Sequence, residues 1–395
     1  MSNKIKSILF ISAFGKVTEE YSNDRVCTLY DNFETENKSI VITDFDHLKK
    51  SKRSGNFQLR NAHYLPVPQY KSNISLGRII SHWIFAFRLK GYLNSLEQKP
   101  EVIYCLVPTP SSCLIAGQFA KKHGIFFVTD VIDVWPDGLF PVKPIFNYLK
   151  TLLYPWRILF NQSLRYSDLI FAANSNYAKI AKTAVHGKVK VNRAFLGSSS
   201  TSTIVKSQDN SHTDLIKICY GGSLGNIYDF DLMFDGIDKA TQKGHNIEFW
   251  IIGGGDLEFE LLEKSKLYTN FRTIITGKIS YDHYLAKMSE CQIGLNLFKP
   301  NELVSMSYKL YDYLACNLYV FNTLQGDAEE ILHEFGVGSQ VNIVNFATLL
   351  IDYLERKDFP VLEKFRKVNE QLNTVTIAKN IENLISYEKN ILQSC

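Results

Sequence analysis

Short apolar runs alternate with helix-patterned runs along almost the whole chain, and this alternation breaks once and then restarts. Before the break, "SILFISA", "SIVITD", "EVIYCLV", "IFFVTDVID" and "SDLIFAAN" read as strands. Between them, "GRIISHWIFAFRLKGYLNSL" and "SSCLIAGQFAKKHG" have helical length or spacing, the second ending at Gly124. The break is "GSSSTSTIVKSQDNSHTD", residues 197–214, polar and rich in Ser and Thr, as linkers are. Afterwards "LIKICYGG", "NIEFWIIGGG", "FRTIITGK" and "CQIGLNLF" alternate with "FDLMFDGIDKAT", "DLEFELLEKSK", "SYDHYLAKMSE" and "SYKLYDYLA". Such alternation builds a parallel sheet with helices on its faces. Its occurrence in two halves predicts two α/β domains, residues 1–198 and 213–375, joined by a linker at 199–212. A C-terminal helix at about 376–395 is expected to pack back on the first. Ligands of such sheets bind at the carboxyl ends of the strands.

Composition narrows the class. At 395 residues and 45% hydrophobic, the chain has apolar material for two cores. Its seven cysteines lie far apart with no CxxC pair, which argues against a disulfide framework or a zinc knuckle and fits a reducing cytosol. The opening apolar run, Ile8 to Ala13, is too short for a signal peptide and reads as a first buried strand. No stretch of about 18 apolar residues suggests a membrane span.

Charge is uneven. Residues 1–200 carry 26 Lys and Arg against 14 Asp and Glu, a net of +12, while 201–395 carry 18 against 26, a net of −8. A basic half implies an anionic partner. No compact Lys/Arg cluster or nucleic-acid motif accompanies it, so nucleic acid is not expected and an anionic membrane surface is. Residues 138–165 suit such a surface: Lys143, Lys150, Arg157 and Arg165 stand among six aromatics without one acid.

Two stretches carry candidate chemistry. In "ICYGGSLGNIYDFD", residues 218–231, a strand runs into Gly221, Gly222 and Ser223. Glycines there make either an ordinary tight turn or a cradle whose N–H groups meet a diphosphate. In "SMSYKLYDYLA", Ser305 or Ser307 is placed to cap a helix. Lys309 and Asp312 then lie three residues apart, as a surface ion pair or as two ligand contacts.

Taken in order, "YGGSLGNIYDFD", "WIIGGGDLEFELLEK", "FRTIITGKISYDHYLAKMSECQIGLNLF" and "SMSYKLYDYLACNLYVFNT" resemble the nucleotide-sugar domain of GT-B glycosyltransferases, specifically glycosyltransferase family 4. "DVIDVWPDGLF", 130–140, resembles a segment of capsule and lipopolysaccharide members. The resemblance implies two Rossmann-like domains facing a central cleft, with acceptor on the first and donor on the second. It implies a retaining transferase that takes a sugar from a nucleoside-diphosphate sugar, without a metal ion or other cofactor. The acceptor would be a saccharide or lipid-linked saccharide, and the enzyme cytoplasmic and peripheral on the inner face of the cell membrane.

By the same resemblance, Gly221, Gly222 and Ser223 would face the donor diphosphate, with Lys309 as its cation. Asp312 would meet the ribose, and Ser307 and Tyr308 would join the donor site. Gly277 and Lys278 of "TGKIS" would line the base, unless Ser280 simply caps the next helix. Gly15 would lie beneath the donor phosphates. Asp133, Asp130 and Lys309 are the catalytic candidates, unless Asp130 or Asp137 simply caps the next element. "GGG" at 253–255 reads as a tight turn before a helix capped by Asp256.

The chain also departs from the family pattern. Of two Glu residues separated by seven, Asp312 takes the second place and Val304 the first; Glu302, close but out of register, is the remaining candidate for the donor contact. The Arg and Lys usual after the first glycine loop are replaced by a stretch holding Asn226 and Tyr228. These departures keep a non-catalytic GT-B subunit open as an alternative, beside a nucleotide-sugar 2-epimerase. Two Asp-x-Asp matches, Asp44/Asp46 and Asp229/Asp231, are the mark of metal-dependent GT-A enzymes, against which the two-half organisation weighs.

Overall fold

The computed structural model describes residues 4–15, 25–47, 50–52, 61–72, 75–107, 109–134, 150–198, 214–300, 304–356 and 360–394. The linker at 199–212, Asp137, Glu302 and all of 138–149 lie outside them. The chain divides into two compact units, Met1–Ser199 with Thr374–Cys395, and Ser200–Asn373.

The first unit contains β1 (Ser7–Ile11), α1 (Arg25–Asn32), β2 (Asn37–Thr43), β3 (Phe45–Asp46), β4 (Ser51–Lys52) and β5 (Ala62–Leu65). It continues with α2 (Leu76–Ser95), β6 (Val102–Val107), α3 (Pro110–His123), β7 (Phe126–Val131), α4 (Lys150–Leu164), β8 (Leu169–Ala172), α5 (Ser175–Ala184) and β9 (Lys190–Arg193). Seven of these strands form one sheet in the order β5-β2-β1-β6-β7-β8-β9, with every neighbouring pair parallel. Strands β6, β7 and β8 are buried at every residue. Burial on both faces is what turns a parallel strand into an unbroken apolar run.

The second unit contains β10 (Leu215–Gly221), α6 (Phe230–Gln242), β11 (Asn246–Ile252), α7 (Glu258–Ser265), β12 (Arg272–Ile275), α8 (Tyr281–Ser289) and β13 (Ile293–Asn296). Then follow α9 (Tyr308–Ala315), β14 (Tyr319–Asn322), α10 (Asp327–Phe335), β15 (Gly338–Gln340), α11 (Phe346–Arg356) and α12 (Leu362–Gln371). Its six parallel strands run β12-β11-β10-β13-β14-β15. The chain moves outward from β10 in one direction and then restarts from β13 in the other. The carboxyl ends of β10 and β13 are thus a topological switch point, where open α/β sheets hold ligands.

The last helix, α13 (Thr374–Ser394), belongs to the first unit. Glu382 on it accepts hydrogen bonds from the N–H and hydroxyl of Thr35, at 2.8 and 2.6 Å. Lys389 donates to Glu101 at 2.7 Å. No described helix is long and apolar enough to cross a membrane.

Candidate functional site

The turn after β10 is built by glycines that admit backbone where a side chain would stand. Gly222 has φ 128° and Gly253 φ 143°, angles that L-residues rarely adopt. A Cβ on Gly253 would lie 1.9 Å from the carbonyl oxygen of Gly222. The glycine run at 253–255 is therefore more than a turn: it lets the end of β11 press against the turn after β10. Leu224 N–H donates to Gly254 O at 3.2 Å across this contact. The Tyr220 hydroxyl donates to Ser223 O at 2.5 Å, closing the turn from its own strand. Helix α7 begins after Leu257 rather than at a cap on Asp256.

The expected pair of glycine donors is corrected by this geometry. Gly221 N–H donates to the Tyr313 hydroxyl at 2.9 Å, and Gly222 N–H to Ile252 O at 2.9 Å. The Tyr313 hydroxyl in turn donates to Leu295 O at 3.1 Å, tying β10 to β13. Both glycine N–H groups thus serve the strand ends, and Ser223 is the exposed residue of the turn.

Lys309, in the first turn of α9, reaches the same switch point from the β13 side. It is 6% exposed. Its Nζ lies 3.3 Å from the ring centroid of Tyr228, 3.9 Å from that of Tyr220 and 5.4 Å from that of Phe298. It makes no hydrogen bond to any described residue. Burial pushes its pKa well below the ordinary lysine value. A Cβ on Gly222 would lie 3.9 Å from this Nζ, so the cation is stored directly beside the glycine turn. Tyr228 supplies one wall of the cage.

Lys309 is not paired with Asp312. The two Asp312 oxygens accept from the Tyr281 hydroxyl at 2.7 Å and the Tyr284 hydroxyl at 3.3 Å. Burial pushes the Asp312 pKa up to about 6, against the opposing effect of the tyrosine bonds.

Other expected donor residues divide. Ser307 begins α9 but its hydroxyl donates to Asn296 at 2.8 Å, and Ser305 donates to Asp327 at 2.6 Å, so neither side chain caps the helix. Tyr308 is exposed. Gly277 has φ 63° and bridges to Gly253, with Lys278 exposed beside it. Ser280 does cap α8, accepting from His283 N–H at 3.4 Å. Glu258, which the sequence did not single out, stands over the same glycines. A Cβ on Gly277 or Gly254 would meet its carboxylate at 3.2 Å. Its one legible signal was an acid opening the helix after a glycine run. Tyr220 and Tyr313 read simply as core aromatics.

In the first unit, Asp130 is corrected from catalytic candidate to structural ion. It is fully buried, accepts from Arg25 Nε at 2.8 Å and from the Tyr104 hydroxyl at 2.7 Å. Arg25 also donates to the carbonyls of Ala194 and Phe195. Asp133 follows β7 and has its pKa raised by burial, with the backbone N–H of Val134 and the charge of Arg78 opposing. Gly15 follows β1, where a Cβ would lie 2.7 Å from Ile42 Cγ2; packing against β2 accounts for the glycine.

The Asp-x-Asp matches are otherwise engaged. Asp229 caps α6 through Leu232 N–H, and Asp231 pairs with Lys264. Asp44 accepts from Val67 N–H at 2.8 Å. Among the described residues no group of three His, Cys, Asp or Glu is placed to hold a metal ion.

Comparison with solved structures places this two-unit architecture. Sucrose-phosphate synthase from Thermosynechococcus elongatus superposes with a TM-score of 0.66 at 12% identity, covering 99% of this chain and 100% of that one. HepE from Anabaena, solved in complex with UDP, gives 0.64 at 12% identity over 96% and 100%. The lipopolysaccharide outer core galactosyltransferase WaaB gives 0.61 at 17% over 96% and 99%. The chain has the GT-B fold, the two-domain architecture of these glycosyltransferases. No family model and no curated protein matches the sequence.

Proposed function

We propose that the protein is a glycosyltransferase that moves a sugar from a nucleoside-diphosphate sugar to a saccharide acceptor. The observation that carries the reading is the caged Lys309 beside the Gly221–Ser223 turn, at the switch point of a fold that HepE shares and in which HepE was solved with UDP. When the bond from C1 to the phosphate oxygen breaks, its electron pair stays on the diphosphate. A cation and fixed dipoles waiting there stabilise that charge. Lys309 and the exposed turn at Ser223 supply them, and Asp312 accepts from a ribose hydroxyl through lone pairs its tyrosines leave open. The acceptor oxygen joins C1 on the face that the diphosphate leaves, and its proton passes to the departing phosphate oxygen; Asp133, whose pKa burial raises, is the acid of the first unit that would meet the acceptor.

The finer reading follows the sequence resemblance. Transfer retains anomeric configuration and needs no metal ion. The acceptor is a lipid-linked saccharide in bacterial surface-polysaccharide assembly, and the enzyme works from the cytoplasmic face of the membrane. Gly277, Lys278 and Tyr308 line the donor. The test is a screen of nucleotide sugars by native mass spectrometry, followed by transfer with EDTA present. Binding of at least one nucleotide sugar, and transfer that survives EDTA, are expected. Failure of every nucleotide sugar to bind contradicts the reading, and a requirement for added Mg²⁺ or Mn²⁺ contradicts its metal-free part.

A further inference from the structure

Helix α2 is apolar on both faces. Its inner face buries Ser81, His82, Phe85, Ala86, Leu89 and Leu93. On the outer face, Leu76, Ile80, Trp83 and Phe87 are 78%, 53%, 49% and 78% exposed. Their spacing of four, three and four residues places them in one stripe, running about 16 Å along the helix. Soluble helices put polar residues on that side, and a contiguous exposed apolar face marks a surface that meets something else.

Charge decides what it meets. From His47 to Leu96 the chain has nine Lys or Arg and no Asp or Glu. Arg88 and Lys90 are exposed at the C-terminal end of the stripe. A second copy of the chain, paired face to face, would set like charges against each other. An anionic bilayer offers the opposite: acyl chains for the stripe, a belt for Trp83, and negative headgroups for the cations. A second exposed apolar pair, Tyr154 and Ile158, lies on α4, the helix whose Trp156 ring comes within 6.4 Å of His82 on α2.

We propose that the outer face of α2 is the protein's membrane-binding surface, lying in the interface of an anionic bilayer. The stretch 138–165, expected from sequence to meet lipid, lies in part outside the described residues; α2 adds to it a helix that sequence marked only for its length and aromatics. The proposal rests on the transferase reading only for the idea that the acceptor is lipid-linked; the surface itself is argued from α2.

The test uses the whole chain with vesicles of phosphatidylglycerol and phosphatidylcholine, and with phosphatidylcholine alone. Co-sedimentation with the anionic vesicles is expected, released at high salt, with Trp83 fluorescence shifting to the blue. The double variant Trp83→Ser/Phe87→Ser should bind at least tenfold more weakly and keep the wild-type circular dichroism spectrum and UDP affinity. Equal binding by wild type and variant, or none by the wild type, overturns the proposal. So does a wild-type dimer that the variant splits in the absence of lipid, since the stripe then covers a second copy. Failure of every nucleotide sugar to bind the wild type, with vesicle binding intact, would strike the transferase reading and leave this one standing.

Discussion

The ammonium nitrogen of Lys309 lies 3.3 Å from the ring centre of Tyr228. A lysine held over aromatic rings, without a hydrogen bond to any described residue, is a cation waiting for an anion. Cation–π contact stabilises it by about 2 kcal/mol when desolvated, less than burial of the charge costs. Its folded pKa therefore falls below the unfolded one. The charge costs nothing above the unfolded pKa, and the cost is complete below the folded one. Lys309→Met should raise the melting temperature, by more at pH 6 than at pH 10.5. A gain independent of pH would contradict the buried, depressed lysine.

Asp312 runs the other way. Its pKa is raised from 3.8 to about 6 by burial, so its stabilising contribution is full below about pH 4 and lost as pH rises through about 6. Asp312→Asn should be close to neutral in melting temperature at pH 4 and gain on the wild type by pH 8. It should also weaken ribonucleotides more than their 2′,3′-dideoxy analogues, in calorimetric titrations of the folded variant. Equal weakening of both rules out the ribose contact.

Gly253 and Gly244 form an internal control. Both have positive φ, 143° and 96°, but a Cβ on Gly253 strikes the Gly222 carbonyl while one on Gly244 meets nothing within 4 Å. Gly244→Ala should cost about 1–2 kcal/mol of backbone strain. Gly253→Ala should cost about 4 kcal/mol or more, read from urea unfolding, and should weaken UDP binding in whatever folds. Equal costs would show that the close approach to Gly222 does not matter.

Asp130 and Arg25 test the reassignment in the first unit. Arg25→Met leaves the Asp130 carboxylate buried without its partner, at a cost of about 3–5 kcal/mol. Asp130→Asn should lose stability while keeping the transfer rate of the folded fraction. A rate that falls by a thousandfold in stable Asp130→Asn protein would restore its catalytic role.

The fold was legible because burial on both faces leaves a parallel strand no polar alternation to hide in; β6 and β8 read as unbroken apolar runs. The loss of pattern at 197–214 adjoins the division between the two compact units, between Ser199 and Ser200. The site was legible in part. Sequence singled out Gly222 and Lys309, which the fold sets side by side, a Cβ on Gly222 lying 3.9 Å from Lys309 Nζ. What sequence could not carry is direction. Nothing in "YGGS" says that two N–H groups turn to Tyr313 and Ile252. Nothing in "TDVID" says that Asp130 faces Arg25, 105 residues away. Tyr228 read as a missing cation, because a cage is made by three rings that come together only in the fold.

The most direct test of the donor site is calorimetric titration of UDP, GDP and uridine into wild-type and Lys309→Met protein. One diphosphate should bind the wild type and lose at least about tenfold, ~1.4 kcal/mol, in the variant, while any uridine binding stays the same in both. Equal diphosphate affinity in folded wild type and variant, or no binding of either diphosphate to the wild type, would contradict the account.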